Sequence, residues 1–399
     1  MSKRAQSSDL GTPMEKIIQA VPDAIINRPY EEPTKHWRYP ENGVPFEMGA
    51  RRPASYYYTT RRTGDAQMDL LSAMEGSDDL PLVNRLREDV KRWREQGYRG
   101  ASEVTKDLLR HWANPERSRR IFFCQLEAAE TMIYLLELRI PGRSSKTGFK
   151  NFDCSDEDLQ LMLAGNKPKW SMADSSIFPK LLDQPADAAM IGLRRLGCKM
   201  ATGSGKTIVM SMLIAWTCCN RGRNPSSTEF PNGILIVAPN LTVKNRLQVL
   251  KPEEAGNYYE LFDIVPSRYR EYMNAGKVFI TNWHVFASKS ENQEGGETYR
   301  VVQKGEEDSK AFTLDRLGEL ARRLPILVFN DEGHHCWRPK VEDAVTADDE
   351  ILDKKGFEKE QIEARVWLDG LDRINNSGLL GAVGNTNRPC VLATIDMSA

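Results

Sequence analysis

The chain has 399 residues, enough for two or three domains with cores of their own, and its 40% hydrophobic and 28% charged content is that of an ordinary soluble globular protein. Lysine plus arginine (55) nearly balances aspartate plus glutamate (56), so there is no global basic footprint, and any nucleic-acid contact must come from local strips. Seven scattered cysteines with no Cys-x-x-Cys pair argue against a disulfide framework or a cysteine zinc site and fit a reducing cytoplasm.

The N-terminal MSKRAQSSDLG has no apolar core of the signal-peptide kind, and the longest apolar stretch, around Ile208–Cys219, is too short to span a bilayer. Residues 1–20 read as loose chain. From Val21 to Tyr58 prolines and aromatics are dense and periodicity is missing, which predicts an extended strap lying over another surface. Two helices follow. Leu82, Leu86, Val90 and Trp93 are spaced as one helical face ending near Gly97; Val104, Leu108, Leu109 and Trp112 form another, stopped by Asn114-Pro115. Arg85, Arg87, Arg92 and Arg94 have Glu88, Asp89 and Glu95 among them, so a solvated, ion-paired face is expected there. These residues, 1–115, are taken as an N-terminal extension, and 116–399 as the main domain. A third helix carries Leu126, Ala129, Ile133 and Leu136, and the Gly-, Ser- and Lys-rich residues 141–190 read as an insertion, helical near Glu157–Leu163.

Met200-Ala201-Thr202-Gly203-Ser204-Gly205-Lys206-Thr207 has the pattern of a phosphate-binding loop, set between a short strand (196–200) and an apolar run of helical length (208–216). The two glycines let backbone N–H groups turn toward phosphate oxygens, and the helix N-terminus adds partial positive charge. Thr202, Gly203, Ser204, Gly205, Lys206 and Thr207 would line the phosphates of a nucleotide, with Lys206 at the β- and γ-phosphates and the Thr207 hydroxyl on Mg²⁺. Met200 stands where the general pattern has Gly or Ala; the GSGKT core is intact.

Beyond it, continuous apolar runs at Ile234–Ala238, Val278–Ile280, Ile326–Phe329 and Val391–Ile395 alternate with helical stretches, which predicts an α/β fold with a parallel sheet covered on both faces. Ligands of such sheets sit at the carboxyl ends of strands. There the chain places Thr202–Thr207, Asn240–Lys244, Asn282 and Asp331–His335. Asp331 would complete the Mg²⁺ shell through water and Glu332 would polarise the attacking water. A zinc site at His334, His335 and Cys336 is disfavoured, because consecutive residues cannot easily give three tetrahedral ligands.

MATGSGKT followed by DEGHH resembles the superfamily 2 helicases of the DEAD/DEAH type, and within them the restriction subunits of type III restriction endonucleases. Asn27–Thr34 and Gly49–Pro53 are similar to the strap that precedes the motor in that branch. The resemblance implies a RecA-like first motor domain that binds ATP and Mg²⁺, with Lys206, Asp331, Glu332 and His334 as catalytic residues. It implies that Gln125, in Phe122–Ala128, reads the adenine edge. It also implies that Asn240, Thr242, Lys244 and Arg246 (motif Ia) and Thr281 and Asn282 (motif Ib) contact the backbone of double-stranded DNA, with a DNA methyltransferase subunit as a further partner. Two departures stand out. Gly333 replaces the family's usual Ala, which adds backbone freedom. Ile395-Asp396-Met397-Ser398-Ala399 is similar to the start of the Ser-Ala-Thr motif, with the threonine beyond the last residue, so a fragment lacking the second RecA-like domain, its arginine fingers and any nuclease is expected, and with it a slow ATPase. The alternatives are an RNA helicase domain and a nucleotide-binding module without turnover.

Overall fold

The alternation of side chains along five strands decides the architecture. In the computed structural model, which describes residues 24–39, 44–60, 74–140, 155–164, 187, 189–227, 229–287, 308–338, 354–383 and 386–398, the chain divides into two compact units at Pro53/Ala54.

In the first unit, β1 (His36–Arg38) pairs antiparallel with β2 (Phe46–Met48). Asn27 organises the turn before them: its Oδ1 accepts from the Thr34 and Lys35 N–H groups (3.0 and 3.1 Å) and its Nδ2 donates to the Lys35 carbonyl (2.9 Å). Of the extended strap expected over residues 21–58, the described part thus holds this antiparallel pair, while residues 55–58 belong to a strand of the second unit.

The second unit opens with the antiparallel pair β3 (Ser55–Thr60) and β4 (Met74–Asp79), then α1 (Pro81–Glu95), α2 (Glu103–Ala113) and α3 (Phe123–Ile133), the last running on as a π-helical turn over Tyr134–Leu138. Of the insertion expected at 141–190, the described part holds α4 (Asp156–Leu163); most of the rest lies outside the described residues. The core follows in order: β5 (Arg195–Lys199), α5 (Lys206–Arg223), β6 (Gly233–Ala238), α6 (Leu241–Arg246), α7 (Tyr258–Leu261), β7 (Lys277–Asn282), α8 (Ser309–Leu317), β8 (Ile326–Asp331), α9 (Lys354–Asn375), the short pair β9 (Ala382–Val383) and β10 (Thr386–Asn387), and β11 (Val391–Ser398).

Strands β5, β11, β8, β6 and β7 form one sheet in that order, and every pairing in it is parallel. Ile234, Ile236, Leu327, Phe329, Ala393 and Ile395 face one apolar cluster, shared with α1, α2, α3 and α5. Leu235, Val237, Ile326, Val328 and Val391 face the other, shared with α8 and α9. Burial on both faces makes the strands read as continuous apolar runs. Helix α5 is enclosed on every side, from Ile208 through Asn220, so it shows little polar face.

Helices α1 and α2, grouped with the N-terminal extension by the sequence reading, share this core. Trp93 and Trp112 are at most 1% exposed, and the Ser102 hydroxyl donates to Asn220 Oδ1 of α5 (2.5 Å). The arginine face of α1 also differs from the expected solvated face at Asp89, which is buried beside Arg139, and at Arg94. Arg94 reaches away from its neighbours to the fully buried Glu130 of α3, with Nε 2.8 Å and Nη2 2.5 Å from the carboxylate, because an uncompensated charge at Glu130 could not be left inside the core.

Candidate nucleotide-binding site

The carboxyl edge of the sheet gathers the conspicuous residues. Strand β5 runs into the phosphate loop, where Gly203 and Gly205 take φ of +79° and +89°, a region that side chains other than glycine's rarely enter. Gly205 caps α5, and its carbonyl accepts from the Ile208 N–H at 2.9 Å. Ser204 closes the loop, its N–H and hydroxyl both donating to the Ala201 carbonyl at 3.1 and 2.6 Å. The first N–H groups of α5 lack helical partners by construction, and they sit at the positive end of an 18-residue helix.

Lys206, on the first turn of α5, places Nζ 3.2 Å from Glu332 Oε1, at the end of β8. The loop and the acidic turn therefore form one site. Glu332 itself holds φ +53° and ψ +49°, a left-handed conformation uncommon for a glutamate, and this turns the chain sharply out of the sheet. Asp331, the last residue of β8, is 8% exposed, and burial first, then the adjoining Glu332, raises its carboxyl above the usual range; Lys206 and Arg246 pull the other way. His334 lies at the rim, with Nδ1 3.3 Å from the Ser398 hydroxyl of β11 and 3.6 Å from Glu332 Oε2. Burial, then the neighbouring His335, lowers the pKa of His334, which favours a neutral ring.

The residues fit a magnesium nucleoside triphosphate. The loop offers backbone donors and one lysine for the phosphates; the Thr207 hydroxyl on α5 and the Asp331 carboxylate are hard oxygen donors of the kind Mg²⁺ takes.

Other expected site residues land unevenly. Gln125 is 6% exposed; its Oε1 accepts from the Phe122 N–H (3.0 Å) and its Nε2 donates to the Ser204 carbonyl (2.8 Å). One end of the amide thus caps its own helix α3 and the other holds the phosphate loop. A Cβ at Gly205 would fall 2.2 Å from that Nε2, so a side chain there would displace the glutamine amide as well as strain the backbone. Asn240 caps α6 by accepting from the Val243 N–H (2.9 Å), and Thr242 and Arg246 are exposed, with Lys244 half-buried beside them. Asn282 caps the next turn, accepting from the His284 N–H at 3.1 Å. Thr281, expected on the same nucleic-acid edge, is 5% exposed, and its hydroxyl turns back to the Asn282 carbonyl. Val278 and Ile280 face the core while Lys277 and Phe279, on the other face of β7, are exposed; Thr281 departs from that alternation, buried on the face where Lys277 and Phe279 are exposed, so it is not part of the exposed edge.

Gly333 also has a different reason from backbone freedom. A Cβ there would lie 2.7 Å from Asp396 Cβ and 2.9 Å from Asp396 Cα on β11. The turn presses so closely on that strand that even alanine would force a shift.

Sequence reasoning missed what lies beneath the acidic turn: Arg195, Asp396, Asn330 and Trp367 join in one hydrogen-bonded chain. A signal existed. Asn330 and Asp396 are polar residues inside strands that otherwise read as apolar.

A five-stranded parallel sheet with helices on both faces, a glycine loop capping a buried helix, and an acidic strand end facing that loop define a RecA-like P-loop nucleotide-binding domain. Residues 180–358, which include both the loop and the acidic turn, match the family described as "Type III restriction enzyme, res subunit". No curated protein and no solved structure matches the chain. Among the described residues no helix is long and apolar enough to cross a membrane.

Proposed function

We propose that this chain binds ATP with Mg²⁺ and hydrolyses it as the first motor domain of a DNA translocase in a type III restriction-type system. The observation that carries the reading is the 3.2 Å approach of Lys206 Nζ to Glu332 Oε1, which brings loop and acidic turn to one carboxyl edge. Lys206 would neutralise phosphate charge, Thr207 and Asp331 would hold the cation, and Glu332 would take a proton from the attacking water. Bound Mg²⁺ would neutralise charge developing on the transferred phosphoryl group. His334, beside Glu332 and the Ser398 hydroxyl, links the acidic turn to β11.

Asn240, Thr242, Lys244, Arg246 and Asn282 supply amides, a hydroxyl and two cations along the same edge. That set suits phosphate contacts without base reading, as a translocase on duplex DNA needs. The similarity to the type III restriction family supports a DNA methyltransferase subunit as partner and a cytoplasmic location. The test is a titration of labelled duplex DNA, single-stranded DNA and RNA at two salt concentrations, with phosphate release measured alongside. Salt-steep, sequence-indifferent binding of duplex DNA supports the reading. Preference for RNA would favour an RNA helicase domain, and ATP binding with no phosphate release in any condition would leave a binding module.

A further inference from the structure

We propose that Asp396 is a positioning residue for the Asp331-Glu332 turn, acting through Arg195 and Asn330; this rests on the nucleotide-site reading above.

Asp396 lies in β11, between the strand of the phosphate loop and the strand of the acidic turn, registered with Gly197 on one side and Asn330 on the other. Its Oδ2 accepts from both Arg195 Nε (2.9 Å) and Nη2 (2.7 Å), two charge-assisted bonds converging on one oxygen. The same Nη2 donates to the Cys336 carbonyl, just past His335. Oδ1 of Asp396 accepts from Asn330 Nδ2 at 2.6 Å. Asn330 Oδ1 in turn accepts from Trp367 Nε1 of α9 at 3.0 Å, and both Asn330 and Trp367 are completely buried.

This arrangement has a direction built into it. The Asn330 amide cannot flip, because its oxygen would then meet a carboxylate and its nitrogen an indole N–H. Asn330 immediately precedes Asp331, and Cys336 closes the turn. Asp396 therefore grips the acidic turn at both ends, once through Asn330 and once through Arg195. Gly333 brings the middle of the turn against the backbone of the same residue. With Glu332 in a left-handed conformation, the turn has intrinsic reason to relax, and these three contacts oppose it. Neither Asp396 nor Arg195 need touch nucleotide. They set where the Asp331 carboxylate stands relative to a cation on Thr207.

Such an outer partner typically governs metal affinity or activity by about 10- to 100-fold. The test compares Asp396→Asn and Arg195→Met with the parent chain in three measurements: affinity for ATP in EDTA, the gain in affinity on adding Mg²⁺, and kcat with KM for phosphate release. Both variants should keep EDTA affinity within about threefold, while the Mg²⁺-dependent gain and kcat fall by about tenfold or more and KM rises with the lost Mg²⁺-dependent affinity. Arg195→Lys, which can still reach Asp396 through one ammonium, should recover part of the loss. Thermal denaturation of each variant checks folding, and a general loss of fold would depress both affinities together. An unchanged Mg²⁺ gain and kcat in both substitutions, or parallel loss of Mg²⁺-free and Mg²⁺-dependent binding, overturns the proposal. Absence of ATP binding by the parent itself would instead sink the nucleotide-site reading on which it stands.

Discussion

Replacing Glu332 by glutamine should tighten binding of a non-hydrolysable ATP analogue while stopping hydrolysis. Lys206 is held by Glu332 at 3.2 Å, and nucleotide phosphates must draw the lysine away from that partner. Two unit charges at this separation attract by about 1.3 kcal/mol at the dielectric of water and by about 5 kcal/mol at an effective constant of 20. The side chains are 15% and 31% exposed, so solvent screens the pair and desolvation offsets much of the gain; a net contribution of about 1 kcal/mol is reasonable. Removing that competitor corresponds to roughly fivefold tighter binding. Calorimetric titration of the parent and Glu332→Gln, with Mg²⁺ present, reads this directly. The Lys206→Ala background supplies the control: there the glutamine substitution should bring less gain, since no lysine remains to be released. Weaker binding by Glu332→Gln, or the same gain with and without Lys206, would refute the competition argument.

Other outcomes follow from the same geometry. Gly333→Ala should lower stability by about 1–3 kcal/mol in chemical denaturation, because its new Cβ meets the backbone of β11 rather than a yielding side-chain tip. Gln125→Ala leaves the Phe122 N–H and the Ser204 carbonyl without that amide; a stability loss of about 1–3 kcal/mol is expected, together with weaker nucleotide binding as the phosphate loop loosens. The raised Asp331 carboxyl gives a pH signature. Since the folded site takes up this proton at a higher pH than a free carboxylate, Mg²⁺-dependent ATP affinity should start to fall, on acidification, above the ordinary carboxylate range; Asp331→Asn should remove that component. On the outer edge, Lys244→Ala and Arg246→Ala should each reduce the slope of log affinity for DNA against log salt by about one, uniformly across sequences.

The sheet was legible because its strands announce themselves. Ile234–Ala238 and Ile326–Phe329 are apolar throughout, and only a strand buried on both faces can be so. The phosphate loop and acidic turn were legible for a related reason: they are local in sequence, and their chemistry needs those residue types at that spacing. What escaped was non-local. Nothing in the neighbourhood of Arg195 indicates that it forks onto Asp396, 201 positions away, or that Arg94 would cross to Glu130. Thr281 was not legible as buried, because the alternation of β7 would place it with the exposed Lys277 and Phe279, and its burial departs from that pattern. Gln125 was identified as important, but its direction was not: the side chain turns to the loop because the missing Cβ of Gly205 leaves room there.

The central claim is that Met200–Thr207 and Asp331-Glu332 form one magnesium-nucleotide site, and the most direct measurement is the equilibrium affinity of the purified chain and its Lys206→Ala variant for ATP, each with and without Mg²⁺. The account predicts saturable, Mg²⁺-enhanced binding at one site in the parent and a loss of about 100-fold or more in the variant, corresponding to about 2.7 kcal/mol or more. Equal affinities in the two proteins, or no effect of Mg²⁺ on the parent, would contradict it.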